Sequence, residues 1–132
     1  MLRLGFPVIG VGDLRRAVAF WTSALDLVAT DEWESESWRT LNHANGSGHA
    51  LGLMHSETPP QAHPRIHLDL LVDSTAEQET EVERLIGLGA TRVDWDRYPR
   101  EPDFVVLADP DENLFCVVDL GKSPSGQGTP QN

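Results

Sequence analysis

The sequence predicts an α+β domain built from two tandem βαβββ modules, and three observations carry that expectation. The first is a self-match at a fixed offset: Arg65–Asp73 (RIHLDLLVD), moved back 61 residues, lands on Leu4–Gly12 (LGFPVIGVG). In the same register Val11 falls on Val72, Leu25 on Ile86, Leu27 on Leu88, Ala29-Thr30 on Ala90-Thr91 and Leu53 on Leu114. This is a co-linear set spanning strand, helix and hairpin. The second observation is that each apolar run feeds a segment of helical periodicity headed by a capping residue. The third is that each such segment is followed by short strand-like runs separated by turn formers. Units this small do not stand alone, and two of them would bury their sheets by curving round a shared cavity.

Each element has its own warrant. Leu4–Val11 reads as a strand, with Pro7 restricting it to an edge or a strand start. Asp13 is a natural N-cap for a helix over Leu14–Leu25, whose Leu14, Ala17, Val18, Trp21 and Leu25 repeat at the spacing of one buried face. Trp21 belongs to the core on that pattern. Leu27–Thr30 leads into a strand-like segment, and the acidic run Asp31–Ser37 reads as a loop. Trp38–Leu41 and Ala50–His55 read as strands joined through NHANGSGH, a run of turn formers containing Asn-Gly. SETPPQAHP holds three prolines and no periodicity, so 58–64 is expected to link modules of about 1–57 and 65–120.

Arg65–Asp73 reads as a buried strand in which His67 and Asp69 share a face. Ser74 and Glu77 fit a capping box opening a helix to about Leu88, with Val82, Leu85 and Ile86 facing the core and Gly89 as the stop. Thr91–Trp95 reads as a strand and Asp96–Pro102 as a polar loop. Phe104–Ala108 and Leu114–Asp119 then form a hairpin around DPDEN. Residues 121–132, without apolar side chains, are expected to be a disordered tail.

Composition excludes several functions. The 132 residues suffice for one ordinary domain, and the net charge of −11 opposes binding to nucleic acid and to anionic membranes. No apolar run approaches the ~18 residues of a membrane span, and the N-terminus meets Asp13 and two arginines too soon for a signal segment. A cytoplasmic protein is the expectation. One cysteine, Cys116, excludes an internal disulfide and any Cys-rich zinc site. No GxGxxG, P-loop, HExxH or G-x-S-x-G pattern is present, which removes nucleotide binding and serine hydrolysis.

His67 is the leading candidate for a site residue, as metal ligand or acid/base, because its charge is tunable near neutral pH. Asp69 either orients His67 or pairs with an arginine such as Arg65. Trp33, Trp38, Trp95 and Phe104 lie on or near segments that would border the cavity, and they suit either a planar or hydrophobic ligand or the filling of a small core. His43, His49 and His63 fall in loop-like segments and are expected to face solvent.

Four stretches, VGDLRRAVAFWTSALDL, RIHLDLLVD, LIGLGATRV and VVLADPDENLFCVVD, together resemble the vicinal oxygen chelate superfamily, the glyoxalase/bleomycin-resistance/dioxygenase proteins, and in particular its bacterial glyoxalase-like subgroup. The resemblance covers Leu4–Leu120 and implies a half-open barrel of paired βαβββ modules, commonly in a homodimer. In metal-dependent relatives each module offers one ligand from its first strand and one from its last. Carried over, those positions are Phe6, His67 and Cys116, with His55 as the fourth from the 61-residue offset. Phe6 cannot ligate a metal, and Cys116 stands where the family usually has glutamate. The resemblance thus implies a binder of a small aromatic or hydrophobic molecule without a complete metal site, with Phe6, Trp38, His55, His67, Phe104 and Cys116 around the ligand and no cofactor. The alternative is a lyase, isomerase or dioxygenase using one divalent ion (Zn, Fe, Mn or Ni) held by His67, Cys116 and His55, with His67 catalytic.

Overall fold

The computed structural model describes residues 1–122; the remainder of the expected tail, from residue 123 on, lies outside the described residues. The chain divides into two units, Met1–Pro59 and a second beginning at Pro60. The first contains β1 (Val8–Val11), α1 (Leu14–Leu25), β2 (Leu27–Ser35), β3 (Trp38–His43) and β4 (His49–His55). The second contains β5 (Leu68–Val72), α2 (Thr75–Leu88), β6 (Thr91–Arg92), β7 (Phe104–Ala108) and β8 (Leu114–Asp119), followed by a 3-10 turn at Leu120–Lys122. Each unit is one βαβββ module with a four-stranded mixed sheet, ordered β1-β4-β3-β2 in the first and β5-β8-β7-β6 in the second. The first and last strands of each pair in parallel and the rest antiparallel. This is the α+β, twice-repeated architecture that the sequence predicts.

Local chemistry sets the helices. Asp13 Oδ1 accepts the Arg16 N–H at 3.1 Å and Ser74 Oγ accepts the Glu77 N–H at 3.1 Å, so each N-terminus is capped by the residue that the sequence offers. Glu77 also reaches back to the Asp73 N–H at 3.4 Å. The αL cap Asp26 (φ 53°) ends α1, and Gly89 (φ 123°) ends α2. Ala17, Phe20, Trp21 and Ala24 form the buried face of α1, with Phe20 and Trp21 edge-to-face at 5.0 Å. In β3 and β4 the alternate residues Leu41, Leu51 and Leu53 are fully buried. In the second unit Val82 and Leu85 of α2 and Leu107, Phe115 and Val117 of the sheet fill the corresponding core. Gln78 is buried there, its amide donating to the Asp103 and Val117 carbonyls at 3.2 and 3.0 Å.

Alternation along β7 and β8 puts Phe104, Val106, Cys116 and Val118 on the other face of that sheet, with Val93, Trp95, Leu114 and Leu120 against them. This face carries the candidate site. No described helix is long and apolar enough to cross a membrane.

Six expectations need correction. The first strand begins at Val8, not Leu4, and His43 lies in β3 rather than in a loop. The central strand begins at Leu68, not Arg65, and is half-exposed rather than buried (Leu71 is 61% exposed), because it is an edge strand hydrogen-bonded on one side only, to β8. The acidic run Asp31–Ser35 belongs to β2 and not to a loop. Backbone pairing with β3 runs to Thr30 and resumes at Ser35 across a register shift, and the carboxylates between them point to solvent from an edge. By contrast β6 stops after Arg92; Val93 makes one more bond, to the Val106 carbonyl at 3.3 Å, and the chain then leaves the sheet. His49 lies in β4 rather than in a loop.

The fixed offset also fails in the last strands. Val8 pairs with Gly52 and Asp69 pairs with Cys116, so first-strand positions 61 residues apart face last-strand positions 64 apart. The counterpart of Cys116 is therefore Gly52, three residues before His55. With 14 residues against 12 in α1, α2 begins this drift, and unequal loops complete it.

Candidate functional site

A cavity of about 110 Å³ opens on the free face of the second sheet. Phe104 and Val106 of β7 and Leu114 and Phe115 of β8 give it an apolar floor, and Trp95 adds an aromatic wall. Its polar lining comes from His63, His67, Arg97 and Cys116. Leu114 and Cys116 project here because of strand alternation, and Phe115 borders the cavity from between them while its side chain fills the core on the helix side. The others come from the segments before β5 and after β6, His63 and Arg97 from what the sequence suggested as linker and polar loop and His67 and Trp95 from what it suggested as strands.

His67 immediately precedes β5, and its Nε2 lies 3.0 Å from Asp69 Oδ1. Asp69, facing Cys116 in the parallel ladder, bridges the two. One ligand atom from each of His67, Asp69 and Cys116 lies within 4.8 Å of the others. Of the two partners weighed for Asp69, the structure selects the histidine. Burial, followed by the Asp69 charge, a hydrogen bond to Asp69 and the Asp103 charge, pushes the Cys116 thiol from 9.0 up to about 12. With a residue exposure of only 5%, Cys116 is a protonated donor at neutral pH and not an activated nucleophile.

His63 faces solvent as expected and also lines the cavity. Its Nε2 is 2.9 Å from Asp96 Oδ1 and its ring centroid 5.2 Å from that of Trp95. The hydrogen bond from His63 is the main cause holding the Asp96 carboxyl below its usual range. Tyr98 accepts the Val106 N–H at 2.7 Å and stacks beside Phe104 at 5.2 Å, which fixes the loop carrying Arg97. A wider groove of about 480 Å³ shares His63, Trp95 and Leu114 with the cavity and is lined by Asp94, Asp96 and Glu112. The sequence reading missed His63 and Arg97. For Arg97 the available signal was its place between the aromatics Trp95 and Tyr98, a few residues after a strand.

The first unit treats the equivalent position differently. A Cβ added to Gly52 would lie 2.7 Å from Trp38 Cη2 and 3.0 Å from Phe6 Cε2, so these rings cover the backbone where Cys116 stands in the second unit. Phe6 packs on Trp38 at 6.5 Å and on His49 at 5.5 Å, and Trp38 Nε1 donates to Thr40 Oγ1 at 2.7 Å. His55 sits at the exposed end of β4 beside Val11. Phe6, Trp38 and His55 thus belong to the first unit, whereas His67, Phe104 and Cys116 meet in the cavity of the second.

As a metal centre this inventory is half a set. Imidazole, carboxylate and thiol within 4.8 Å suit one thiophilic divalent ion with an open position. Phe6 and Gly52, the first-unit counterparts of His67 and Cys116, offer no donor.

Comparison with known proteins places these features. The sequence profile of the Glyoxalase-like domain family matches residues 8–118. No curated protein sequence matches the chain. Among solved structures, a glyoxalase/bleomycin resistance protein/dioxygenase family enzyme from Burkholderia phytofirmans PsJN superposes with a TM-score of 0.67 at 20% identity, covering 87% of this chain and 96% of that one. The fosfomycin resistance protein FosX from Listeria monocytogenes, as a variant complexed with Mn(II) and 1S,2S-dihydroxypropylphosphonic acid, gives 0.68 at 18% identity, covering 96% and 94%. A glyoxalase-related enzyme from Fulvimarina pelagi gives 0.65 at 16%, covering 90% and 88%. At these identities the likeness establishes the fold.

Proposed function

The chain belongs to the glyoxalase-like domain family of the vicinal oxygen chelate superfamily, and we propose that its second unit binds a small aromatic or hydrophobic molecule without a complete metal-ligand set. The observation carrying this reading is the cavity itself, with an aromatic and aliphatic lining around four polar groups. Its 110 Å³ is of the order that holds one aromatic ring, given that an engineered apolar cavity of ~150 Å³ accepts benzene. Loss of donors at Phe6 and Gly52 supports binding over metal chemistry. Titration calorimetry with 4-methylbenzyl alcohol tests it. Phe104→Ala is expected to weaken binding at least fivefold, and more than His67→Ala does. Failure of the wild-type protein to bind single-ring aromatics at millimolar concentration overturns the reading.

The cluster of His67, Asp69 and Cys116 supports a second reading, in which one divalent ion is held by these three residues and acts as a Lewis acid toward ligand oxygens. In that reading Asp69 takes the place that the sequence assigned to His55. Elemental analysis after dialysis against zinc or manganese separates the two. About one ion per chain, lost in His67→Ala, favours the metal reading, and no retained ion favours the first.

A further inference from the structure

We infer that the preferred ligand class of this cavity is zwitterionic: a single-ring aromatic carrying a carboxylate at one end and an amine at the other. The inference rests on the proposal that the second unit binds a small molecule. It comes from a segregation of charge across a shared wall. The cavity is lined by Arg97, two histidines and a protonated thiol, and by no carboxylate. The adjoining groove is lined by Asp94, Asp96 and Glu112, and by no lysine or arginine. His63, Trp95 and Leu114 belong to both linings, so the two compartments adjoin.

A purely anionic ligand would use Arg97 but would sit beside three carboxylates, in a chain of net charge −11. A purely cationic one would use the groove and leave the Arg97 guanidinium unused, the histidines and the thiol already facing Asp69 and Asp96. A molecule with both ends answers both compartments. Its carboxylate accepts from the Arg97 guanidinium, which is suited to bidentate pairing. The ring lies against Trp95 and Phe104, and the ammonium faces Asp94 and Glu112. Asp96 is the carboxylate already committed, to His63 at 2.9 Å.

Three matched probes test this on the intact chain by titration calorimetry: 4-(aminomethyl)benzoate, 4-methylbenzoate and 4-methylbenzylamine. The expected result is that 4-(aminomethyl)benzoate binds at least tenfold more tightly than either singly charged analogue. Arg97→Gln should remove its advantage over the amine, and an Asp94→Asn/Glu112→Gln double variant should remove its advantage over the carboxylate. All these side chains are exposed, so the variants are expected to fold, and the thermal transition of each verifies it. Affinities equal within twofold across the three probes and 4-methylbenzyl alcohol overturn the charge assignment while leaving the binding cavity standing. Absence of binding by all four overturns both.

Discussion

Gly52 and Cys116 hold the same register position in their respective sheets, each directly opposite a first-strand residue, Val8 in one and Asp69 in the other. One is covered by two aromatic rings and the other opens into a cavity lined by Phe104 and His67. The two modules thus share a backbone and put ring packing at one of these positions and a cavity at the other.

Because the covering rings leave no room at Gly52, Gly52→Ala is expected to destabilise the protein by about 1–3 kcal/mol, the usual range for overpacking. Replacing Trp38 by Leu removes the atoms 2.7 and 2.9 Å away. A double-mutant cycle in denaturant should therefore show that Gly52→Ala is tolerated better in the Trp38→Leu background.

Asp69 is the nearest negative charge raising the Cys116 thiol. In Asp69→Asn the thiol should ionise at lower pH than in the parent, yet still above 9.0, since burial, the largest cause, remains. Thiolate absorbance during a pH titration reads this directly. An unchanged titration would show that the carboxylate does not act on the sulfur.

The same group makes stability depend on pH on the alkaline side. Folding raises the thiol from 9.0 to about 12, so its contribution is fully present below pH 9 and is lost as pH rises toward 12. Within that window this group can change the folding constant by at most about tenfold per pH unit. Cys116→Ala should flatten this part of the stability profile, whatever its offset. Parallel profiles for the two proteins would contradict the assignment.

Local signals were easy to read and spacing across loops was not. Asp13 and Ser74 announced their helices because capping is a short-range hydrogen bond. The 61-residue repeat held through the first strands and helix starts, where no insertion intervenes. It failed for His55 because each length difference between the modules accumulates down the chain. His67 was legible as a candidate from its strand position and Cys116 from the family resemblance, and Asp69 as one partner open to His67. His63 and Arg97 were hidden because prolines and polar residues marked their segments as connections, and only tertiary structure shows a connection turning its side chains onto a sheet.

On the helix side of the second sheet, Gln78 is buried and bonds two carbonyls. Gln78→Leu removes two hydrogen bonds, although the Asp103 carbonyl keeps the Asp119 N–H at 2.6 Å, and should cost about 1–3 kcal/mol, measured by urea unfolding. Ligand affinity should be unchanged, since Gln78 does not line the cavity.

The acidic strand β2 has a consequence for the company this protein keeps. As the outermost strand of the first sheet it presents unpaired backbone groups that a foreign strand would find attractive. Asp31, Glu32 and Glu34 line that margin, and Trp33, between two of them, breaks the extended run with a φ of +61°. Charge and bend together make the margin a poor template, so much of what looks in the sequence like generic solubility is stationed where a chain could otherwise polymerise.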